Sequence, residues 1–263
     1  MYRPVYDLFM QTIRISRIAV AAIAATLLMA AVAPAASAPS PKLNLKASIS
    51  PSRNLKPGQI INQLLVQGTL AGANGGLAPT ITKTVIDFPA GAVTNGRLFP
   101  SCSASKLKSH HNALSACPKG SRIGSGFVTA TAVQLGVSSN AVATLFNGPG
   151  GRSVVFNFHA TVPADINDSI DAPLVRKHGK FSYELTLTLP HDLQEILDGV
   201  FVSVQKIRFP TGATIKVHGK KRGYIETGKT CPKHGAPFRA QFFFMDGSSA
   251  TSNSQVKFTC AKR

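Results

Sequence analysis

The sequence predicts an exported, all-β protein, an antiparallel β-sandwich of jelly-roll or immunoglobulin-like Greek-key type with one short helix and two disulfides. Three observations predict this class. An uncharged apolar segment lies near the start of the chain. Apolar and polar residues alternate with period two through most of the remainder, as half-buried strands do. Turns rich in Gly and Pro separate the alternating runs.

The first 38 residues have the order of a signal peptide: basic, then apolar, then small. Arg3, Arg14 and Arg17 precede an uncharged run of about 16 residues, 18–33. Small residues, 35–38, follow it. The apolar run is shorter than the ~20 residues that a spanning helix needs, so cleavage is expected rather than a membrane anchor. We therefore expect residues 1–38 to be a signal peptide and 39–263 to be one secreted or cell-envelope domain.

The strand pattern is clearest at 181–189, where odd positions are apolar and even positions polar. Similar alternation at 84–88, 154–160 and 215–217 predicts further half-buried strands. Two hairpins are expected at the following places. One joins 141–146 to 153–161 through a Gly-rich loop, and the other joins 238–244 to a return strand over 255–260.

A short helix is expected over 190–199. Asp192 can cap the amide of Glu195, and the Glu195 carboxylate can reach back, as in a capping box. Leu193, Ile196 and Leu197 then form an apolar stripe, and Gly199 ends the helix.

The chain has four cysteines, and an exported chain with an even cysteine count is typical of a disulfide framework. Four cysteines allow three pairings. Pairing between neighbours in the sequence is favoured, which gives Cys102–Cys117 and Cys231–Cys260. A metal site is the alternative, because histidines lie near these cysteines in the sequence. The paired CxxC or HxxxH spacing of zinc sites is absent, which favours disulfides.

Two segments resemble a module of uncharacterised secreted actinobacterial proteins. FPSC at 99–102 is followed by CPKGSRIGSG at 117–126, and the C-terminal part carries CP at 231–232, FFFMDG at 242–247 and Cys260. The similarity is strongest over 88–130 and 223–261. It implies an actinobacterial envelope, a β-rich fold and these two cysteine pairings. It implies no activity.

No group of polar residues carries an enzymatic signature. Neither GxSxG nor HExxH occurs. The pair His110–His111 is interpreted as a solvated loop. The acids Asp165, Asp168 and Asp171 are interpreted as loop acids, with calcium as a minor alternative. The neighbours His191, Asp192 and Glu195 are assigned to helix capping. We therefore expect no catalytic residue, no metal and no cofactor.

The charge balance points to an anionic partner. The whole chain carries 29 Lys+Arg against 11 Asp+Glu, and removal of residues 1–38 leaves 26 against 10. Such a surplus attracts anions, although it also serves solubility, and export argues against nucleic acid. The densest cluster lies within 216–234. The candidate polyanion-binding residues are Lys216, Lys220, Lys221, Arg222, Lys229 and Lys233.

The favoured function is therefore non-enzymatic: binding of anionic envelope polymers or lipid head groups through this basic surface. A secreted hydrolase for glycans or esters, with acids assembled in space, is the alternative. A carrier of an apolar ligand between the sheets is the third, and a large apolar cavity would mark it. The sequence makes no prediction of oligomeric state.

Overall fold

The computed structural model describes residues 39–229 and 235–261. The predicted signal peptide, residues 1–38, lies outside the described residues. Within the described ranges, no helix is both long and apolar enough to cross a membrane.

Antiparallel strands make up most of the described chain, as the sequence predicts. The strands are β1 Lys42–Ser50, β2 Ile60–Ile61, β3 Gln63–Ala71, β4 Ile81–Pro89, β5 Ala92–Thr94, β6 Arg122–Ala132, β7 Val137–Asn147, β8 Ser153–Ala160, β9 Ile166–Arg176, β10 Phe181–Thr188, β11 Glu195–Leu197, β12 Val200–Thr211, β13 Thr214–Val217, β14 Lys220–Gly223, β15 Ile225–Thr227, β16 Ala236–Phe244 and β17 Ser249–Val256. The α-helices are α1 Ala104–Ser109 and α2 His191–Gln194. Short 3₁₀ turns lie at Gly96–Leu98, Leu114–Ala116, Val133–Leu135 and Pro149–Gly151.

Most strands belong to one large sheet. Its order is β1-β3-β12-β6-β7-β8-β9-β10-β4-β16-β17, with β11 paired to β12. Its two outermost strands lie beside each other, because the Leu45 amide donates to Ser252 Oγ (2.9 Å) and that hydroxyl donates to the Leu45 carbonyl (3.1 Å). Two small sheets, β13-β14 and β2-β15-β5, complete the strand set.

The strand register places the connections at two opposite ends of the large sheet. The Cys102–Cys117 loop and the β13–β14 hairpin lie at one end, here the disulfide end, with the starts of β6 and β8. The α2–β11 segment and the β8–β9 connection lie at the other, the far end. The predicted hairpins β7–β8 and β16–β17 are confirmed.

The core is built from the inward positions of the alternating strands. In β10, Tyr183 and Leu185 are buried, as the period-two pattern predicts. Phe156 and Phe158 of β8 and Phe242 of β16 belong to the same continuous cluster. Burial of these aromatic and aliphatic side chains is the main favourable contribution to folding.

The Gly-Ser-Gly at 124–126 serves strand packing. A Cβ on Gly126 would collide with the backbone carbonyl of Arg208, and one on Gly124 with that of Pro210. Both glycines lie in β6, paired to β12. The absence of side chains there lets the two backbones approach closely, which is an established use of glycine in strands.

The expected helix over 190–199 is wrong in most of its length. Helix α2 has four residues, begins after Pro190, and has no side-chain cap. Glu195 is extended and opens β11, because Leu197 pairs with Val200 across a tight turn at Asp198–Gly199. The Glu195 carboxylate accepts from the Gly199 amide and pairs with His191 Nε2 (3.0 Å), so the capping box does not form.

The expectation of one helix is also wrong, since α1 forms between Cys102 and Cys117, where the sequence predicts no helix. Ser103 Oγ accepts from the Lys106 amide, as an N-cap does. Leu107 on its inner face is fully buried. Two apolar residues, Ala104 and Leu107, among four polar ones gave too weak a periodic signal to predict this helix.

The Cys102–Cys117 disulfide is confirmed, with a Cα–Cα distance of 5.4 Å. Cys231 lies outside the described residues, so the Cys231–Cys260 pairing stays a prediction. The return strand lies earlier in the chain than expected, at Ser249–Val256 instead of 255–260. Beyond it the chain turns to the 52–55 segment, where the Thr259 amide donates to the Ser52 carbonyl (2.9 Å) and Leu55 bridges Cys260.

Candidate binding site in the interior of the sheet

Two adjoining apolar chambers lie inside the large sheet. The first, toward the disulfide end, has a volume of about 140 Å³ and includes Tyr183 and Tyr224 in its wall; we name it the tyrosine chamber. The second, the far chamber, has about 150 Å³ and is lined at its outer end by Val162 and Leu193. An engineered cavity of about 150 Å³ in another protein is large enough to bind benzene.

The chambers share one partition of four apolar side chains. Ile86 of β4, Phe156 of β8, Leu185 of β10 and Phe209 of β12 line both. The Phe156 and Phe209 rings meet edge to face, with centroids 5.8 Å apart. Strands β8 and β12 are separated by β6 and β7 in the sheet, so these two rings meet across the interior.

The far chamber is lined almost wholly by apolar side chains. Val128, Phe158, Leu187 and Val204 come from four strands. Helix α2 contributes Leu193, and β11 contributes Ile196, two residues of the stripe that the sequence predicts. The third, Leu197, is 46% exposed, because the chain is extended there and its side chain faces away.

Two of the hydroxyl groups in the far chamber, those of Thr131 and Ser139, already have partners. Thr131 Oγ1 lies 2.6 Å from Ser138 Oγ, and Ser139 Oγ donates to the Val162 carbonyl (2.6 Å). A polar ligand group beside Thr131 or Ser139 would have to compete with these bonds. This chamber is therefore suited to a hydrocarbon chain rather than to a polar group.

The tyrosine chamber has a charged group at its disulfide end. Glu226 is 6% exposed and lines the wall. Its carboxylate accepts from Arg222 Nε and Nη2 (3.0 Å each) and from the Gly223 amide (2.8 Å). Burial alone would raise the pKa of Glu226, but the hydrogen bonds from Arg222, Gly223 and Asn95 lower it overall. Glu226 is therefore ionised at neutral pH.

The two tyrosines of this chamber differ in their hydrogen bonding. Tyr183 Oη accepts from the Thr94 amide at 3.4 Å. Tyr224 is 2% exposed, packs edge to face on Phe99 with centroids 5.4 Å apart, and its hydroxyl has no partner among the described residues. Burial raises the pKa of Tyr224, so the phenol keeps its proton at neutral pH.

The structure brings part of the predicted basic cluster together on the β13–β14 hairpin. Lys216 lies opposite Lys221 in register, and both side chains are exposed, as is that of Lys220. Arg222 does not belong with these free cations, because Glu226 binds its guanidinium. Lys229 is exposed and follows β15, whereas Lys233 lies outside the described residues.

The other polar candidates have structural roles. Asp168 pairs with Lys108 (2.8 Å), and Asp171 Oδ2 accepts from the Ala104 amide (3.3 Å), so both hold α1 against β9. His110 Nδ1 lies 3.0 Å from the Lys106 carbonyl, and His111 is exposed. Among the described residues no group of three or more acids, histidines or cysteines could hold a metal ion.

The sequence suggests an apolar cavity between the sheets only as the third functional option and names none of its residues, although the alternation identifies most of its wall. Tyr224 directly follows the basic residues 220–222 and precedes Ile225, so the sequence pattern indicates an exposed charged loop there. An aromatic residue followed by an apolar one inside such a loop was the available signal.

Comparison with protein-family models, curated proteins and solved structures finds no match to this chain. The resemblance to secreted actinobacterial proteins therefore stays a prediction. Any functional proposal rests on the chemistry of the residues above.

Proposed function

We propose that this protein binds an elongated apolar ligand inside its sheet, without catalysis, as a carrier in the secreted fraction or the cell envelope. The observation that carries the proposal is the pair of adjoining apolar chambers, of about 140 and 150 Å³. Transfer of hydrocarbon from water into such a space is favourable by about 0.8 kcal/mol per CH₂ group.

The proposal includes a two-layered sandwich, with the large sheet folded over so that its inner faces enclose the ligand. The edge-to-face contact of Phe156 and Phe209 supports it, because these rings come from non-adjacent strands. The hydrogen bonds between Leu45 and Ser252 support it as well, since they draw β1 to β17. A chain threaded past the Phe156–Phe209 pair would contact both chambers.

The distribution of acids favours binding over hydrolysis. Glu226 is the acid in the wall of these chambers, and its carboxylate is held by three hydrogen bonds. A glycosidase needs two facing carboxylates, one of them free to transfer a proton. Among the described residues, the walls of the two chambers hold no such pair.

Titration of the mature protein with N-phenylnaphthylamine, a neutral dye that fluoresces in apolar surroundings, tests the proposal. Ala160→Leu and Ala130→Leu each add volume to the wall of the far chamber. Either should weaken dye binding about tenfold, because an overfilled cavity excludes the ligand.

Val142→Leu is the matched control, because Val142 is 48% exposed and does not line a chamber. This variant should bind the dye like the parent. Circular dichroism establishes that each variant is folded. The proposal is wrong if the parent shows no saturable binding, or if both folded chamber variants bind as the parent does.

A second candidate, attachment to an anionic wall polymer or lipid head groups, is favoured by one observation. Lys216 and Lys221 are directly opposite on paired strands, and like charges in that position repel each other. A bound polyanion would relieve the repulsion. The triple change of Lys216, Lys220 and Lys221 to Ser should reduce co-sedimentation with purified cell wall, most clearly at low salt.

The matched control removes three other exposed lysines, Lys42, Lys46 and Lys106, and therefore the same net charge. If both triple variants sediment alike, the attraction is a property of total charge and the hairpin is not a site.

A further inference from the structure

We infer that the far end of the large sheet rests on a lipid surface, and that the ligand passes between this surface and the far chamber beside Val162. This inference rests on the proposed apolar-ligand function and adds the partner and the route of entry. It is carried by a concentration of exposed apolar side chains at the place where the far chamber reaches the protein surface.

Exposed apolar side chains are concentrated at the far end. Within the ranges that the structure describes, ten large hydrophobic side chains are exposed, and six of them lie in loops or strand ends at the far end. We name these six the apolar rim: Leu77, Val133, Leu135, Val162, Leu197 and Met245. Exposed apolar residues that are scattered singly are normal, whereas a concentration of them is typical of a surface that binds a protein or a membrane.

The strand register brings the rim residues to the same end. Ala132, which ends β6, pairs with Val137 of β7 and with Val202 of β12. Phe244, which ends β16, pairs with Ile81 at the start of β4. The start of β4 also adjoins the end of β10, from which the chain continues into α2.

Hydrogen bonds join three of the segments that carry the rim. In the 133–135 turn, Gln134 Oε1 accepts from the Phe201 amide (2.8 Å), and Phe201 is paired with β11. The Val162 carbonyl accepts from Ser139 Oγ (2.6 Å) of β7, the strand into which the 133–135 turn leads. The turn, the β8–β9 connection and β11 are therefore neighbours.

Val162 marks the place where the far chamber reaches the surface. It lines the chamber and is nevertheless 50% exposed. Leu193 and Ile196 of the α2–β11 segment line the same chamber, and the next residue, Leu197, is exposed and belongs to the rim. The apolar lining of the chamber therefore continues into the apolar rim. A ligand that passes directly from lipid into this chamber keeps its hydrocarbon away from water, which is the favourable state for apolar area.

The start of the described chain supports a lipid surface as the partner. Strand β1 begins at Lys42, which pairs with Ala71 where β3 ends at the far end. The apolar run 18–33 is separated from Lys42 by residues 34–41, which span at most about 28 Å. A signal peptide enters a membrane during export, so this connection keeps the far end close to a lipid surface.

Charge at the far end favours lipid without net charge. Within the described residues, the connections at this end carry no Lys or Arg; they are 72–80, 133–136, 161–165, 189–199 and 245–248. Their exposed acids are Asp165, Asp192, Asp198 and Asp246, and Lys42 is an exposed cation on an adjoining strand end. An anionic surface would repel these acids, whereas the ammonium groups of zwitterionic head groups would attract them. Apolar contact therefore supplies the affinity.

Co-sedimentation of the mature protein with phosphatidylcholine vesicles tests the docking. These vesicles have no net charge, so the basic hairpin adds little attraction. Leu135→Ser combined with Leu197→Ser removes apolar area from two exposed positions that do not line a chamber. This rim variant should fold as the parent does and bind the vesicles about tenfold more weakly. Binding of the parent should persist at about 1 M salt, because apolar contact is not screened.

Leu98→Ser combined with Leu114→Ser is the matched control. Both leucines are exposed and lie outside the rim, so the change removes similar apolar area from another part of the surface. This variant should bind the vesicles as the parent does. Circular dichroism establishes that both double variants are folded.

Transfer of N-phenylnaphthylamine from vesicles to the protein tests the route. A nitroxide-labelled lipid in the vesicles quenches the dye, and transfer to the protein restores its fluorescence. If the dye passes by contact, the transfer rate should rise with protein concentration, whereas passage through water is limited by release from the vesicle. The rim variant should bind free dye like the parent and accept dye from vesicles about tenfold more slowly.

The outcomes separate this inference from the proposal beneath it. Absence of dye binding by the parent overturns the proposed function. Saturable binding of free dye without vesicle binding, or with a transfer rate independent of protein concentration, overturns only this inference. Equal vesicle binding by the rim variant and its control overturns the role of the rim. Self-association of the parent that the rim variant loses, without vesicle binding, assigns the rim to a second copy of this chain and overturns the lipid surface.

Discussion

Arg222 binds Glu226 through two nitrogens, Nε to Oε1 and Nη2 to Oε2, each at 3.0 Å. The sequence assigns Arg222 to a polyanion-binding surface, but its guanidinium neutralises a carboxylate in the wall of the tyrosine chamber. The basic hairpin therefore has two kinds of cation: the exposed Lys216, Lys220 and Lys221, and one arginine that supports the interior.

The first prediction separates these two kinds. Arg222→Ser should lower the melting temperature by several degrees, because it leaves the nearly buried Glu226 carboxylate without its bidentate partner. Lys221→Ser removes the same charge from an exposed position and should change the melting temperature by less than about 1 °C. Thermal unfolding followed by circular dichroism measures both. Equal shifts would contradict the distinction.

The second prediction concerns acid. The folded-state pKa of Glu226 is below its ordinary value, so the unfolded chain takes up the proton first. The stability from this carboxylate is complete above the ordinary carboxyl pKa and is lost as the pH falls through the lowered value. The difference in melting temperature between the parent and Glu226→Gln should therefore be largest near neutral pH and narrow toward pH 3. A melting-temperature difference that stays constant with pH would contradict this prediction.

The third prediction concerns a buried ion pair on β4 and β16. Asp87 is fully buried; Arg239 Nε donates to its Oδ2 (2.7 Å), and Arg239 Nη2 lies 2.7 Å from the same oxygen as an ion pair. Arg239→Leu should lower the free energy of unfolding by about 3 kcal/mol, because it leaves a buried carboxylate unpaired. Urea denaturation measures this loss.

Two further variants serve as controls for the Arg239 experiment. Asp87→Asn combined with Arg239→Leu should recover part of the loss, since a neutral amide is easier to bury. Phe181→Leu removes only the ring beneath the guanidinium, at 5.2 Å, and should lower the free energy by about 1 kcal/mol. If the single Arg239 variant is as stable as the parent, the pair does not stabilise the sheet.

The fourth prediction concerns the Cys102–Cys117 loop, which separates the cysteines by 15 positions. Replacing both cysteines by Ser should lower the free energy of unfolding by about 3 kcal/mol through the entropy of the unfolded chain. Helix α1 lies within this loop, so its amides should exchange faster in the variant.

Non-reducing peptide mapping of the parent tests the second pairing, Cys231–Cys260. Peptides that join Cys102 or Cys117 to Cys231 would contradict it.

The fifth prediction concerns export. The mature protein should begin between Ala36 and Pro39, because the small residues after the apolar run suit signal peptidase. Intact-mass measurement of the secreted protein decides this. A secreted chain that begins at Met1 would contradict the signal-peptide interpretation.

The sequence by itself determined the antiparallel strands, the two hairpins and the inward faces of strands such as β8 and β10. The reason is local: alternation with period two fixes which side chains share a face, and Gly-rich turns fix where a strand reverses. The Cys102–Cys117 pairing was within reach of sequence for a similar reason, since neighbouring cysteines close a short loop.

Only the tertiary structure decided how these faces meet. Periodicity carries no information about strand order. It could not show that Phe156 and Phe209 meet in the interior, because two other strands separate β8 from β12 in the sheet. Glu195 became extended because Leu197 pairs with Val200, which overrode a helical pattern. Arg222 and Tyr224 are two residues apart in sequence, yet one is bound by Glu226 and the other has an unpartnered hydroxyl. That difference depends on three-dimensional neighbours, and a sequence pattern cannot supply them.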